Sequence, residues 1–134
     1  MLAGQAQKEF FFNEAQSIVD AMLHLAVEGV SQTPPSAPVN GECWIIDSSA
    51  QGHWADQDNS IAIRLSDAWK FVSPRNGMSA FDKSSGQRYF FEGAWQAASE
   101  PAPPQGGATI DSEARNAITA LMEAVRQLGA FPRV

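Results

Sequence analysis

The stretch Ile61-Ala62-Ile63-Arg64-Leu65-Ser66-Asp67-Ala68-Trp69-Lys70-Phe71-Val72 decides how the chain folds. Two apolar-rich runs flank the polar pair Ser66-Asp67, which is long enough only for a tight turn, so strands over 61–65 and 68–72 should pair as a hairpin. The pattern recurs at Tyr89-Phe90-Phe91-Glu92-Gly93-Ala94-Trp95-Gln96, again a strand, a polar turn and then Ala-Trp. Here Glu92-Gly93 supplies the positive φ that short hairpin turns require. Working outward, short apolar runs predict further strands over 42–47, 78–81, 87–91 and 94–96. Together they predict a small antiparallel β-meander.

Helices flank the meander. Ala15, Ile18, Val19, Met22, Leu25 and Ala26 recur at helical spacing and predict a helix over 13–28. Asn13 and Gln16 suit a capping box at its start, and Gly29 suits a left-handed stop at its end. The prolines at 34, 35 and 38 then force a loop. A second proline-rich piece, Glu100-Pro101-Ala102-Pro103-Pro104-Gln105-Gly106-Gly107, reads as a stiff spacer ending in a flexible pair. Beyond it, 110–128 predicts a helix capped by Asp111, acidic early with Glu113, basic late with Arg126, and stopped by Gly129 and Pro132. The expected class is α+β, with a helix-plus-meander domain over 1–99, a linker over 100–109 and an oligomerisation helix within 110–134.

Composition sets limits on partners. Of 134 residues, 44% are hydrophobic, but 21 are alanine, so the core is expected to be thin and supplemented by association. Fifteen acidic against nine basic side chains give a net charge of −6, and no basic patch is evident in the sequence. Nucleic acid and anionic membrane are therefore not expected as partners. The single Cys43 has no disulfide partner and no C-x-x-C context. Without a signal-like start or a long apolar run, the chain is expected to be made in a cytoplasm and not to enter a membrane.

On the C-terminal helix, Ala114, Ile118, Leu121, Val125 and Leu128 follow alternating steps of four and three, a heptad seam. The flanking Ala117, Met122 and Ala124 are apolar where a dimer would carry charges. Such a wide apolar face suits three or more chains, or packing on the protein's own body. The spacer before the helix favours association, and a homotrimeric bundle is the expectation.

Chemistry is sparse. No nucleophile motif, phosphate-cradling loop or selected carboxylate pair is present, so neither an enzyme nor a cofactor is expected. His24 falls on a helix edge and His53 in a loop, where solvated or structural roles are the ordinary ones. Asp56-Gln57-Asp58-Asn59 has the alternating oxygens of a calcium loop but lacks its glycine and distal glutamate, so no metal is assigned. Trp44, Trp54, Trp69 and Trp95 are more informative, because flat aromatic faces stack on sugar rings as readily as they fill small cores. Trp54, in a polar loop with Gly52, Asp56 and Asp58, is the one expected to be exposed. Trp54, Trp69 and Trp95 are the candidate glycan-binding residues. Phe10-Phe11-Phe12, three adjacent aromatics that cannot all face one core, are the candidate docking residues for a partner chain.

The blocks Ala3-Gly4-Gln5-Ala6-Gln7-Lys8-Glu9, Asn13-Glu14-Ala15, Ile18-Val19-Asp20-Ala21 and Leu25-Ala26-Val27 resemble the opening of a domain of unknown function. That domain is carried by structural proteins of tailed phages and gene transfer agents. Gly41-Glu42, Gly52-His53-Trp54-Ala55, Ala68-Trp69-Lys70-Phe71, Pro74-Arg75-Asn76-Gly77 and Gly93-Ala94-Trp95 are similar to its later blocks, and 110–118 looks like its C-terminal helix. Phe10-Phe11-Phe12 departs from the more polar residues expected there. The resemblance implies a virion component, a head spike or tail-fibre element that assembles with other virion proteins and contacts the host surface, with no enzymatic activity. A carbohydrate-binding module for a host surface glycan is the alternative.

Overall fold

The computed structural model describes residues 3–134 and contains helix α1 (Ala3–Leu23) and helix α2 (Ser112–Gln127) around eight short strands. The strands are β1 (Ala26–Val27), β2 (Val30–Ser31), β3 (Cys43–Ile46), β4 (Ile61–Leu65), β5 (Ala68–Val72), β6 (Ser79–Asp82), β7 (Gln87–Phe91) and β8 (Trp95–Gln96). The class is α+β. The expected single antiparallel meander is instead two mixed four-stranded sheets, ordered β1-β6-β7-β8 and β2-β3-β4-β5.

Both sheets hang on one extended segment. Leu25 and Val27 accept hydrogen bonds from the amides of Phe81 and Lys83, both at 2.9 Å, and β1 pairs with β6 in parallel. Two residues on, Gly29 accepts from Ile45 at 3.1 Å and Ser31 from Asp47 at 2.9 Å, and β2 pairs with β3 in parallel. Residues 24–28 therefore do not extend the first helix and Gly29 is not its cap. Helix-forming residue types here give way to sheet pairing, and two-residue strands carry no period that could reveal them. The helix also begins earlier than Asn13. Residues 3–12 contain nothing that breaks a helix apart from Gly4, and Ser17 Oγ donates to the Asn13 carbonyl at 2.9 Å as helix-interior serines do.

Both recurring hairpins form. Arg64 pairs with Trp69 across β4–β5, and Phe91 with Trp95 across β7–β8. Each is preceded by the same turn, Pro38-Val39-Asn40-Gly41 and Pro74-Arg75-Asn76-Gly77. Gly41 (φ +89°) and Gly77 (φ +95°) hold the left-handed backbone these turns need. Asn40 Oδ1 accepts from the Ser66 amide at 2.8 Å and Asn76 Oδ1 from the Gly93 amide at 2.9 Å. The body is thus a structural repeat, β3-β4-β5 and β6-β7-β8, each a three-stranded meander clasped by an asparagine.

The core lies between the sheets, built on Leu25, Val27, Cys43, Ile45, Ile61, Ile63 and Ala80 with Ile18, Ala21 and Met22 of α1 against it. Side chains alternate along β3 and β4, so Trp44, Ile46 and Ala62 face the other way. Residues 47–60 fold over that outer face and complete a second core with Trp54. Burial on both faces explains why Ile61-Ala62-Ile63 reads as a continuous apolar run.

Candidate functional site

The sequence-derived tryptophans do not form one platform. Gly52–Trp54 is a single 3₁₀ turn that sends the indole of Trp54 inward, leaving it 0% exposed, so the expected exposure of this residue is overturned. Its polar neighbours face solvent from the opposite side of the turn. Trp54 meets the Trp69 ring edge to face at 5.2 Å and 82°, and lies 6.3 Å from Trp44. Asp58 holds the loop in place, its carboxylate accepting from the amides of Ser49 (3.1 Å) and Ala50 (2.9 Å). Among the described residues no group of three or more His, Cys, Asp or Glu gathers as metal ligands.

Trp69 is half-buried and leads to the surface. With Phe71 it lines a groove of about 580 Å³ whose other wall is Pro34, Pro35 and Pro38, with His53, Arg64 and Asp67 supplying polar edges. The Arg64 guanidinium carbon sits 5.4 Å from the Trp69 ring centre, a cation–π contact across the hairpin. Aromatic and proline walls with a few polar groups form a surface that can stack a flat ligand and orient it by hydrogen bonds. Trp95 is elsewhere: it packs against the inter-sheet core, stacks edge-on with Phe91 at 5.2 Å and donates from Nε1 to the Asn59 carbonyl at 2.8 Å.

Burial pushes the Cys43 thiol up from its ordinary value, and the Tyr89 hydroxyl rises for the same reason, helped by the negative charge of Asp82.

The two helices carry the exposed apolar surface. Phe10, Phe11 and Phe12 lie within α1, each 63–68% exposed, with Phe10 bordering a cavity shared with Asn40, Leu65 and Ala68 of the body. On α2, Asp111 caps the first turn by accepting from the Ala114 amide at 2.9 Å. Met122 faces the body, while Ala114, Ile118, Leu121 and Leu128 are exposed and Val125 is half-buried. The C-terminal end of α2 is tied down: Arg126 pairs with Glu100, Gln87 Nε2 donates to the carbonyls of Ala98 (2.5 Å) and Ala130 (2.9 Å), and Arg88 donates from its amide to Gly129 at 2.6 Å.

Residues 12–96 match the model of a family described as Protein of unknown function (DUF2793). The chain belongs to that family. No curated protein matches it. The DUF2793 span takes in the second half of α1 and all eight strands, including Trp54, Trp69 and Trp95. Phe10, Phe11 and the whole of α2 lie outside the matched residues. No helix among the described residues is long and apolar enough to cross a membrane.

The paired asparagine clasps are the feature a closer reading of the sequence could have found, because Pro-x-Asn-Gly occurs twice ahead of an Ala-Trp hairpin.

Proposed function

We propose that this DUF2793 chain is a structural protein of a tailed-phage or gene-transfer-agent particle. In this role it is a head-spike or tail-fibre component that self-associates as a trimer through α2, docks on other virion proteins through Phe10, Phe11 and Phe12, and attaches the particle to a host surface. The observation that carries an assembly role is the apolar surface the fold leaves uncovered. Leu121 is 64% and Leu128 74% exposed on one face of α2 with Ala114, Ala117, Ile118 and Ala124 beside them. A continuous stripe of that kind marks an interaction surface rather than a solvated helix. The particle context is supported by the sequence blocks that resemble phage and gene-transfer-agent structural proteins. No reaction is assigned to the chain.

Light scattering of the purified protein over a range of concentrations tests this directly. A mass three times that of the chain is expected. The L121D/V125D variant should give a monomer with unchanged circular dichroism. A wild-type monomer at every concentration, or a variant that keeps the oligomer, removes the trimer.

A carbohydrate-binding role is the second reading, favoured by the aromatic and proline groove at Trp69. Trp69→Ala should abolish binding on a glycan array under conditions where circular dichroism shows the variant folded, its lost contact with Trp54 lowering stability. Binding that survives this change rejects the groove as the glycan site.

A further inference from the structure

We propose that the groove between the last turn of α2 and the β6–β7 hairpin is a docking site for an acidic peptide segment of a partner protein, with a carboxylate held between Arg88 and Arg133. The inference does not depend on the particle reading. Three of the nine basic side chains of an acidic protein, Arg88, Arg126 and Arg133, line this one groove of about 620 Å³ together with Phe81, Leu128 and one acidic side chain, Glu123, which is itself paired with Arg126. Arg88 comes from β7 and the other two from the C-terminal segment, and the backbones of Arg88 and Arg133 are anchored. Arg88 lies opposite Phe81 across β6–β7, and its amide is bonded to Gly129 at 2.6 Å. Arg133 donates its amide to the Ser85 carbonyl at 2.7 Å, and its guanidinium carbon sits 6.0 Å from the Phe81 ring centre. Gly86 makes this approach possible, since any Cβ there would collide with the Arg133 side chain.

The charges are unevenly satisfied. Arg126 is paired with Glu100 and Glu123, yet its Nε is buried without a hydrogen-bond partner. Neither Arg88 nor Arg133 has an ion-pair partner among the described residues. Both therefore keep their charge free for an anion that enters the groove, and their planar forks fit a carboxylate bidentately. A groove of this volume holds several residues of peptide rather than a lone ion. The apolar lip favours peptide over acidic sugar: Leu128, among the most exposed large hydrophobics, offers a contact for an aliphatic side chain next to the carboxylate. Leu128 also ends the uncovered stripe of α2, so a protein lying along that helix delivers its acidic residue into the groove.

The test is a titration of the full ¹⁵N-labelled chain with acetyl-Leu-Asp-Leu-Glu-Leu-amide, followed by NMR. Saturable shifts are expected at Gly86, Arg88, Gly129 and Arg133. Affinity should fall about tenfold or more in R88Q, in R133Q and for the peptide with Asn and Gln in place of its acids. It should also weaken as salt is raised. Both variants retain the backbone anchors, and their spectra away from the groove report that the fold is kept. Three results each overturn the proposal: no shifts at these residues, equal binding of the uncharged peptide, or wild-type affinity in both variants. A hexuronate oligomer that binds where the acidic peptide does not also overturns it, in favour of a glycan.

Discussion

Replacing Trp54 by alanine separates a core residue from a ligand platform. The indole is 0% exposed and sits among Ile46, Ala62, Trp44 and Trp69. Truncating a buried tryptophan costs about 3–5 kcal/mol, and the edge-to-face contact with Trp69 places this site in the upper part of that range. One term works the other way. Trp54 Nε1 is buried with no partner, and an unsatisfied donor of this kind costs roughly 1–3 kcal/mol in the native state. Trp54→Phe, which keeps a ring and deletes the orphan N–H, should therefore cost less than about 1.5 kcal/mol. In urea, with a slope of about 2 kcal/mol per molar, Trp54→Ala should lower the midpoint by about 2 M, and Trp54→Phe by less than about 0.75 M. Equilibrium unfolding followed by far-UV circular dichroism reads both. An alanine variant with the wild-type midpoint would refute the placement of this side chain in the core and restore it as a candidate for glycan contact.

The asparagine clasps should act separately: Asn40→Ala and Asn76→Ala are each expected to cost about 1 kcal/mol, and the double variant about their sum. Thermal melts check this, and a double variant no worse than either single one would mean the clasps are not independent. Alkaline stability follows from burial. Unfolded Cys43 ionises near its ordinary 9.0, whereas the native thiol holds its proton to higher pH. The unfolded state then binds fewer protons, so stability is complete below that value and falls as pH rises past it, with Tyr89 adding to the fall above 10.0. Urea midpoints measured from neutral pH to about 10 should decline, and Cys43→Ala should flatten the first part of that decline. An identical decline in the variant would remove the thiol as its cause.

The hairpins and α2 were legible because their signals are local. Ser66-Asp67 and Glu92-Gly93 each set a turn within a few residues, and Asp111 caps α2 as its position before an acidic first turn implies. Trp54 was not legible, because a polar loop looks exposed until a sheet face four strands wide is placed beneath it. The strands β1 and β2 were hidden for a related reason. Leu25-Ala26-Val27-Glu28 are acceptable helix residues, and only the edges of β6 and β3, distant in sequence, draw them into extended pairing. The convergence of Arg88 and Arg133 has no sequence signal at all, since it depends on the tail after α2 returning along β7.

The repeat explains why one face of the body is left open. Aligning Gly41 with Gly77 makes Ile45 and Ile61 the counterparts of Phe81 and Arg88, and Trp44 and Ala62 the counterparts of Ala80 and Tyr89. In the core, the Ile45–Ile61 face of the second sheet meets the Ala80–Tyr89 face of the first. Opposite faces of the repeat are in contact, so the two units stack head to tail, and a head-to-tail stack leaves two unlike ends. Residues 47–60 close one end by laying Trp54 over Trp44 and Ala62. The other end presents Phe81 and Arg88 where the first unit has two buried isoleucines. It is only partly covered, by the tail that follows α2, and Phe90 on the same face remains 48% exposed. A position that packs a neighbour in one unit and carries an unpaired arginine opposite a phenylalanine in the other is suited to a neighbour that is charged, apolar and supplied from outside the chain. That is the same end of the molecule at which the exposed stripe of α2 terminates.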